Sequence, residues 1–125
     1  MKEYTNRHTE KDYVAFSESE DYMVRQWVAG QKGLPTYLYE FLAQDDEPFV
    51  RGFLAANTDA PLHVLRMLLE DDDEFVLFGL ASNEQLSTQD LHKLQRKNNA
   101  LVDMALIQNP STSVSTLITM LNSRL

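Results

Sequence analysis

The 125-residue chain contains no cysteine, which excludes disulfide bonds, metal sites built from thiolates and cysteine nucleophiles. It also lacks a continuous apolar run long enough to cross a membrane and a basic-then-apolar leader, so the sequence predicts a cytoplasmic protein without a membrane span. Basic residues are few, since the chain has 11 lysines and arginines but 19 aspartates and glutamates, which gives a net charge of −8. This balance argues against direct binding of nucleic acid or membrane and suits a basic protein partner or simple solubility.

What the sequence does contain is an internal repeat, in which similar residues recur at a constant spacing. Asn57, Asn83 and Asn109 are 26 positions apart, and Gln31 supplies another amide one step earlier. Each unit also carries a valine, followed four positions later by an aliphatic residue. The valines are Val24, Val50, Val76 and Val102. Because so many positions hold the same phase without a gap, they predict one repeated structural unit.

Each unit predicts two short helices. In the second unit, Val50, Phe53, Leu54 and Asn57 lie on one helical face, and Pro61 opens the second helix. One such pair cannot bury its apolar face, but stacked pairs share a continuous core. The predicted fold is therefore all-α, an α-solenoid of four 26-residue two-helix repeats after an N-terminal capping half-repeat. The predicted boundaries are 9–23 for the half-repeat and 24–49, 50–75, 76–101 and 102–125 for the repeats, within a single domain 1–125.

The two ends of the predicted stack differ. The half-repeat opens on a capping arrangement, in which Thr9 is followed three residues later by Asp12. Its polar outer face would close the N-terminal end of the stack. At the other end, Leu117, Leu121 and Leu125 would form either a sealed core or an exposed end face. We therefore expect a monomer or an end-to-end homodimer.

The units also share a pattern of asparagine, proline, leucine and aspartate. The residues that carry it are Asn57, Pro61, Leu65, Asp71 and Val76, with Asn109-Pro110 and the pairs Val24-Arg25 and Val50-Arg51. Over residues 9–125 the chain resembles the leucine-rich repeat variant family, bacterial α-solenoids similar in style to HEAT and armadillo repeats. The resemblance implies a right-handed superhelix that serves as an interaction scaffold, and it implies no catalytic residue.

The loops between the units are rich in acids. They are Glu18, Glu20 and Asp21; Asp45, Asp46 and Glu47; and Glu70, Asp71, Asp72, Asp73 and Glu74. Because the loops share a phase, stacking would align them as an acidic ridge along one edge. In the simpler interpretation, each acid only complements the dipole of the helix that follows. The five-acid run from Glu70 to Glu74 exceeds what capping requires, and Asp71, Asp72, Asp73 and Glu74 are candidates for partner binding.

A second candidate surface is apolar and lies at the outward positions of the first helix in each unit. Its candidate partner-binding residues are Arg51, Leu77, Phe78 and Met104. The last three would form an exposed patch of the kind that marks interfaces. Alternatively, the helix of the third unit is rotated by one position, with Gly79 in the place of Phe53 and Phe78 filling the space. Both interpretations stay open at the level of sequence.

No catalytic, cofactor-binding or metal-binding residue is predicted. His8, His63 and His92 share no repeat phase and have no partner at a catalytic or metal-binding spacing. The acidic run also lacks the alternation and the central glycine of a calcium loop. Four aromatic residues of the first unit are expected mainly in the core: Trp27, Tyr37, Tyr39 and Phe41.

Three functions from different classes are compatible with these patterns. We favour a non-enzymatic protein–protein interaction module, a scaffold or adaptor of bacterial or phage type, which holds a protein partner through Leu77 and Phe78. The second is an acidic nucleic-acid mimic that inhibits a DNA- or RNA-binding protein through Asp71, Asp72 and Asp73. The third, a solenoid that acts on DNA, is disfavoured because the cations are few and scattered.

Overall fold

A computed structural model describes residues 8–123 of the chain, and these residues are helical without any strand. The predicted all-α class is therefore confirmed. Within this range the helices are α1 Glu10–Ser17, α2 Tyr22–Ala29, α3 Thr36–Leu42, α4 Pro48–Ala55, α5 Leu62–Met67, α6 Glu74–Ala81, α7 Thr88–Gln95, α8 Ala100–Gln108 and α9 Val114–Ser123. A 3₁₀ turn, Leu68–Glu70, continues α5.

The helices fall into two sets according to their neighbours. The even-numbered helices, α2, α4, α6 and α8, which we call the first helices, pack side by side in chain order. Of the odd-numbered helices, which we call the second helices, α1, α3 and α7 lie against adjacent first helices, α5 reaches α6 through its 3₁₀ turn, and α9 packs against α7. The row of first helices therefore has one side covered by second helices and the other side open.

Short polar side chains define where the helices begin. Thr9 and Asp12 form the predicted capping box at α1, with each side chain bonded to the other residue's backbone N–H. At the first helices, Asp21 accepts from the Met23 N–H and Asn99 from the Leu101 N–H. Glu47 and Asp73 cap α4 and α6 in the same way. Each first helix therefore starts at an acid or amide that satisfies its free N–H groups.

The core is built from aliphatic residues that recur with the period of the repeat, such as Val50 with Val76 and Leu54 with Leu80, all fully buried. Phe53, predicted to share the apolar face of Val50 and Leu54, is an exception, because it is 40% exposed. The physical reason is that α4 is flanked by α2 and α6, so its buried surface includes Gly52 and Ala55 as well. Phe53 consequently lies on the open side.

The aromatic residues of the first unit also depart from the prediction. Tyr39 is buried, and its hydroxyl donates to the Gln31 carbonyl oxygen at 2.7 Å. Trp27, Tyr37 and Phe41 are exposed instead. The expectation of a core position is therefore confirmed for Tyr39 and wrong for the other three residues.

A chain of buried asparagines connects segments that lie one repeat apart in the sequence. The Asn83 side-chain amide donates to the carbonyl oxygens of Ala55 at 2.8 Å and Asn57 at 3.1 Å. Its own oxygen accepts from the Gln85 N–H at 2.9 Å. Asn57 and Asn109 make the equivalent bonds one step earlier and one step later. Each amide thus satisfies backbone groups of two successive segments, which fixes their register.

Candidate functional site

Two of the loop acids are paired with arginines inside the molecule. Arg25 contacts Asp45 through two bonds, Nε to Oδ2 at 2.7 Å and Nη2 to Oδ1 at 3.1 Å. Arg51 contacts Asp71 in the same way, at 2.7 and 3.3 Å. The Arg51 Nη1 also donates to the backbone oxygen of Asp45 at 2.7 Å, so the two pairs are joined. Such bidentate, part-buried pairs hold neighbouring helices in a defined geometry.

The charges of the second pair are stabilised by this geometry. Burial opposes ionisation of Asp71, but the hydrogen bonds from Arg51 and from the Asp73 N–H outweigh it, so the pKa of Asp71 is lowered. The bond to Asp71 in turn raises the pKa of the Arg51 guanidinium. Arg51 and Asp71 are candidates for partner binding by sequence, and in the structure they are engaged with each other.

The remaining acids of the candidate run have different surroundings. Asp73 caps α6 through bonds from the Phe75 N–H at 2.8 Å and the Val76 N–H at 3.3 Å. Glu74 accepts from the Asn99 side-chain amide at 3.0 Å. The Asp72 side chain is exposed and makes no hydrogen bond or ion pair with any residue in 8–123. The simple capping interpretation thus applies to Asp73, while Asp72 faces solvent.

Asp72 belongs to a row of solvent-facing acids that recurs with the period of the repeat. Asp46 and Glu20 occupy the equivalent positions before α4 and α2, and both are exposed. Neither side chain is hydrogen-bonded or ion-paired within the described part of the chain. We call Glu20, Asp46 and Asp72 the outer acids. They line the N-terminal ends of three successive first helices.

The open side of the first helices carries a band of exposed apolar side chains. We call this band the apolar strip, and its members are Met23, Trp27, Phe49, Phe53, Phe75, Phe78, Leu101 and Met104. Four of them, Met23, Phe49, Phe75 and Leu101, occupy the same position in successive units, directly before each valine. Large apolar side chains therefore cover all four first helices on one face.

Aromatic contacts make the middle of the strip continuous. The Phe49 and Phe75 rings are 5.1 Å apart, and the Phe53 and Phe75 rings are 6.1 Å apart. Tyr22 stacks on Phe49 at 6.1 Å from the other side. Phe75 also lies over Gly52, where it leaves no space for a side chain. These rings support one another while keeping an exposed edge or face.

A groove of about 220 Å³ lies between α6 and α8 at one end of the strip. Phe78 and Met104 line it, and Glu84 stands at its margin. Leu77, the third residue of the predicted patch, is only 5% exposed. Its predicted exposure is wrong, because its position corresponds to those of Arg25 and Arg51, which are also turned inward, between helices. The patch thus contains Phe78 and Met104 without Leu77.

The face formed by the second helices has a different character. Pairs of polar side chains connect neighbouring second helices: Glu40 with His63 at 2.8 Å, Arg66 with Asp90 at 3.0 Å and His92 with Thr116 at 2.7 Å. Apolar side chains such as Tyr37 and Met67 are exposed there, but these pairs interrupt them. The continuous apolar surface therefore belongs to the first helices.

Cations are missing from the apolar face. The four first helices contain only Arg25 and Arg51 as basic residues, and both are bonded to aspartates. Exposed acids lie at the margins of three of these helices, with the outer acids before α2, α4 and α6 and Glu84 after α6, while the exposed cations at the margins are Lys32 after α2 and Arg96 and Lys97 before α8. Along α2, α4 and α6 the strip is therefore an apolar surface flanked mainly by acids.

The C-terminal end of the described region also exposes apolar groups. Leu121 is 60% exposed and Leu117 is partly buried against the core. Ile107 is exposed at a position where Ala29, Ala55 and Ala81 are fully buried. The third residue of the predicted end face, Leu125, lies outside the described residues.

Sequence reasoning missed most of the apolar strip. Its signal was present in the period, since Met23, Phe49, Phe75 and Leu101 share one phase. The predicted boundaries place these residues at unit ends, with the valine that follows each of them at the start of the helix. The helices begin earlier, at residues such as Glu74, which brings Phe75 onto the helix.

Comparisons with protein-family models, with curated proteins and with solved structures found no match to this chain. No helix within residues 8–123 combines the length and the apolar character needed to cross a membrane. In the same range, no three His, Asp or Glu side chains are grouped so as to hold a metal ion.

Proposed function

We propose that the chain is a right-handed α-solenoid of four two-helix repeats after a capping half-repeat, similar to the leucine-rich repeat variant family. The asparagine chain supports this proposal, because Asn57, Asn83 and Asn109 each bond to backbone groups 26 and 28 residues earlier. We further propose that it acts as a non-enzymatic protein–protein interaction module in the cytoplasm.

The apolar strip is the observation that carries this function. Single exposed apolar residues are normal on protein surfaces, but eight exposed large side chains on four neighbouring helices are typical of an interface. Phenylalanine, tryptophan and methionine, which make up most of the strip, are enriched at interfaces. Leaving this surface in water costs hydrophobic free energy that partner binding would recover.

A nucleic-acid mimic is supported less well. Such a protein needs many solvent-facing acids, whereas Asp45 and Asp71 are bound by arginines and Asp73 caps a helix. The three outer acids, with Glu18 and Glu70 of the same loops, are the remaining candidates for a basic cleft. Neutralising Asp46 and Asp72 is therefore a cleaner test than changing Asp71 or Asp73, which would also disturb the fold.

Site-specific photo-crosslinking tests which face binds. A photoreactive phenylalanine analogue at Phe49 or Met104 should crosslink to a partner in cells of the source organism. The same analogue at Tyr37 or Met67, which are similarly exposed on the second-helix face, is the matched control. Crosslinks from Tyr37 and Met67 alone would reject the apolar strip as the interface.

A pair of variants complements the crosslinking. Phe78→Asp should abolish capture of the crosslinked partner without unfolding the protein, because Phe78 is partly exposed and a charge there breaks the apolar band. Met67→Asp introduces the same charge on the other face and should leave capture unchanged. Equal effects of the two variants would contradict the proposal.

A further inference from the structure

We propose that the occupant of the apolar strip is a basic amphipathic helix of a partner protein, about 16–20 residues long. This inference rests on the proposed function and specifies what the strip binds. It is derived from the width of the strip, its length, its hydrogen-bonding capacity and the charges along its margins.

The width of the strip matches one helix. At α6 the strip is bounded by Asp72 before the helix and by Glu84 after it, and α6 itself has 8 residues. Eight helical residues span about 12 Å, and an α-helix with its side chains is about 10–12 Å wide. A helix lying across the first helices would therefore fit between Asp72 and Glu84 where it crosses α6.

The length of the strip sets the length of the ligand. Four first helices lie side by side, and packed helices are separated by about 8–10 Å. Three such separations give about 24–30 Å. At about 1.5 Å per residue, a helix of about 16–20 residues covers this distance. Apolar side chains about every seven residues would then meet successive first helices, since seven residues rise about 10.5 Å.

A helix suits this surface better than an extended segment. The first helices use their backbone groups internally, and no strand edge exists within residues 8–123. An extended segment on the strip would bury N–H and C=O groups without partners, which is costly. A helix satisfies its own backbone groups and presents an apolar face to the groove.

The charge pattern selects a basic helix. A helix that lies with its apolar face on the strip directs its two polar flanks toward the outer acids and toward Glu84. Lysines or arginines on those flanks would be complementary to the acids beside α2, α4 and α6, whose own cations are paired with aspartates. The basic residues at the margins, Lys32 after α2 and Arg96 and Lys97 before α8, are outside this acidic stretch or at its end. A second copy of the strip would instead oppose acid to acid, and an anionic membrane would be repelled as well.

Three designed peptides, each about 18 residues long to match the strip, test this inference. The first carries leucines at the a and d positions of a heptad pattern and lysines on the flanks; the second replaces every lysine with glutamate; the third scrambles the first. Fluorescence anisotropy with the full chain should show binding of the lysine helix at least tenfold tighter than that of either control. Added salt should weaken it, since exposed charges are screened.

Two matched double variants locate the charges. Asp46→Asn with Asp72→Asn should weaken binding of the lysine helix about tenfold, since two attractive contacts with the lysine flanks are lost together. Glu10→Gln with Glu40→Gln removes the same net charge from the second helices and should have less than a twofold effect. Phe78→Asp should abolish binding.

The inference would be overturned by equal binding of the glutamate helix, by equal binding of the scrambled peptide or by equal effects of the two double variants. Binding that needs Asp46 and Asp72 but survives Phe78→Asp would also overturn it, since acids alone would then be the site. In each case, crosslinks from Phe49 and Met104 would still uphold the proposed function. If neither Phe49 nor Met104 gave a crosslink, both this inference and the proposed function would be rejected.

Discussion

The buried amide of Asn83 provides the most direct test of how successive segments are joined. Asn83→Ala removes its bonds to the Ala55 and Asn57 carbonyl oxygens and the bond from the Gln85 N–H. Losing a buried partner costs about 1–3 kcal/mol, and the Asn57 oxygen keeps one bond, from the Ala60 N–H. We therefore expect the free energy of unfolding to fall by about 2–4 kcal/mol.

Asn83→Asp tests the loss of the amide hydrogen bonds with almost no change in the shape of the side chain. The aspartate has the size of asparagine, but it would place a carboxylate oxygen against two carbonyl oxygens at about 3 Å, in a site that is 0% exposed. At pH 7 it should be more destabilising than Asn83→Ala. Because folding would raise the pKa of this carboxyl above its unfolded value of about 3.9, the defect should shrink as the pH is lowered toward 4.

The assay is urea unfolding followed by circular dichroism at 222 nm, with the slope checked for changes in cooperativity. Asn122→Ala, at an exposed position, is the control and should change stability by less than about 0.5 kcal/mol. The reasoning would be refuted if Asn83→Ala behaved like Asn122→Ala, or if Asn83→Asp were no worse than Asn83→Ala at pH 7.

Three further predictions concern other contacts. Since the pKa of Asp71 is lowered in the folded protein, its ionised carboxylate stabilises the fold above about pH 4, and this stabilisation is lost as the pH falls further. Asp71→Asn should therefore reduce the difference in the free energy of unfolding between pH 7 and pH 3 in urea titrations, and an unchanged difference would contradict this. Leu77→Arg with Lys97→Asp should create a third guanidinium–carboxylate pair, with a coupling of about 0.5–2 kcal/mol in a double-mutant cycle; additive single effects would mean that no pair forms. Gly79→Ala should destabilise by about 1–3 kcal/mol in urea, because its Cβ would lie 2.7 Å from a backbone oxygen of α4, whereas Gly30→Ala, with its nearest atom at 3.7 Å, should change little. Similar effects at the two glycines would contradict the close approach of α4 and α6.

The helical class could be predicted because the apolar residues recur with a helical spacing inside a constant period. The period also identified Asn57, Asn83 and Asn109, but it suggested only that an amide ends each first helix. Their bonds to preceding segments could not be read from the sequence, since a period gives the phase of a residue without the atoms that meet across neighbouring helices. For the same reason, the pairing of Arg51 with Asp71, 20 residues away, could not be predicted from the sequence.

The candidate site was predicted in part. Phe78 and Met104 are exposed as one interpretation expected, while Leu77 is buried. The acids of one loop have separate roles, since Asp71 pairs with arginine, Asp73 caps a helix and Asp72 faces solvent. Composition alone treats them as one run. Only the backbone path of the loop, which directs adjacent side chains to different sides, distinguishes them.

The direction of the asparagine chain has a consequence for how such a molecule can change in size. Each amide donates backward along the chain, and its own backbone oxygen accepts from the next amide, as Asn83 does between Asn57 and Asn109. A duplicated copy of residues 50–75 therefore brings both a matching donor and a matching acceptor. It would lengthen the molecule by one step of about 8–10 Å, equal to about five to seven residues of a bound helix. In-frame duplication of a unit could thus change the length of helix that the molecule can bind, without requiring new contacts at either junction.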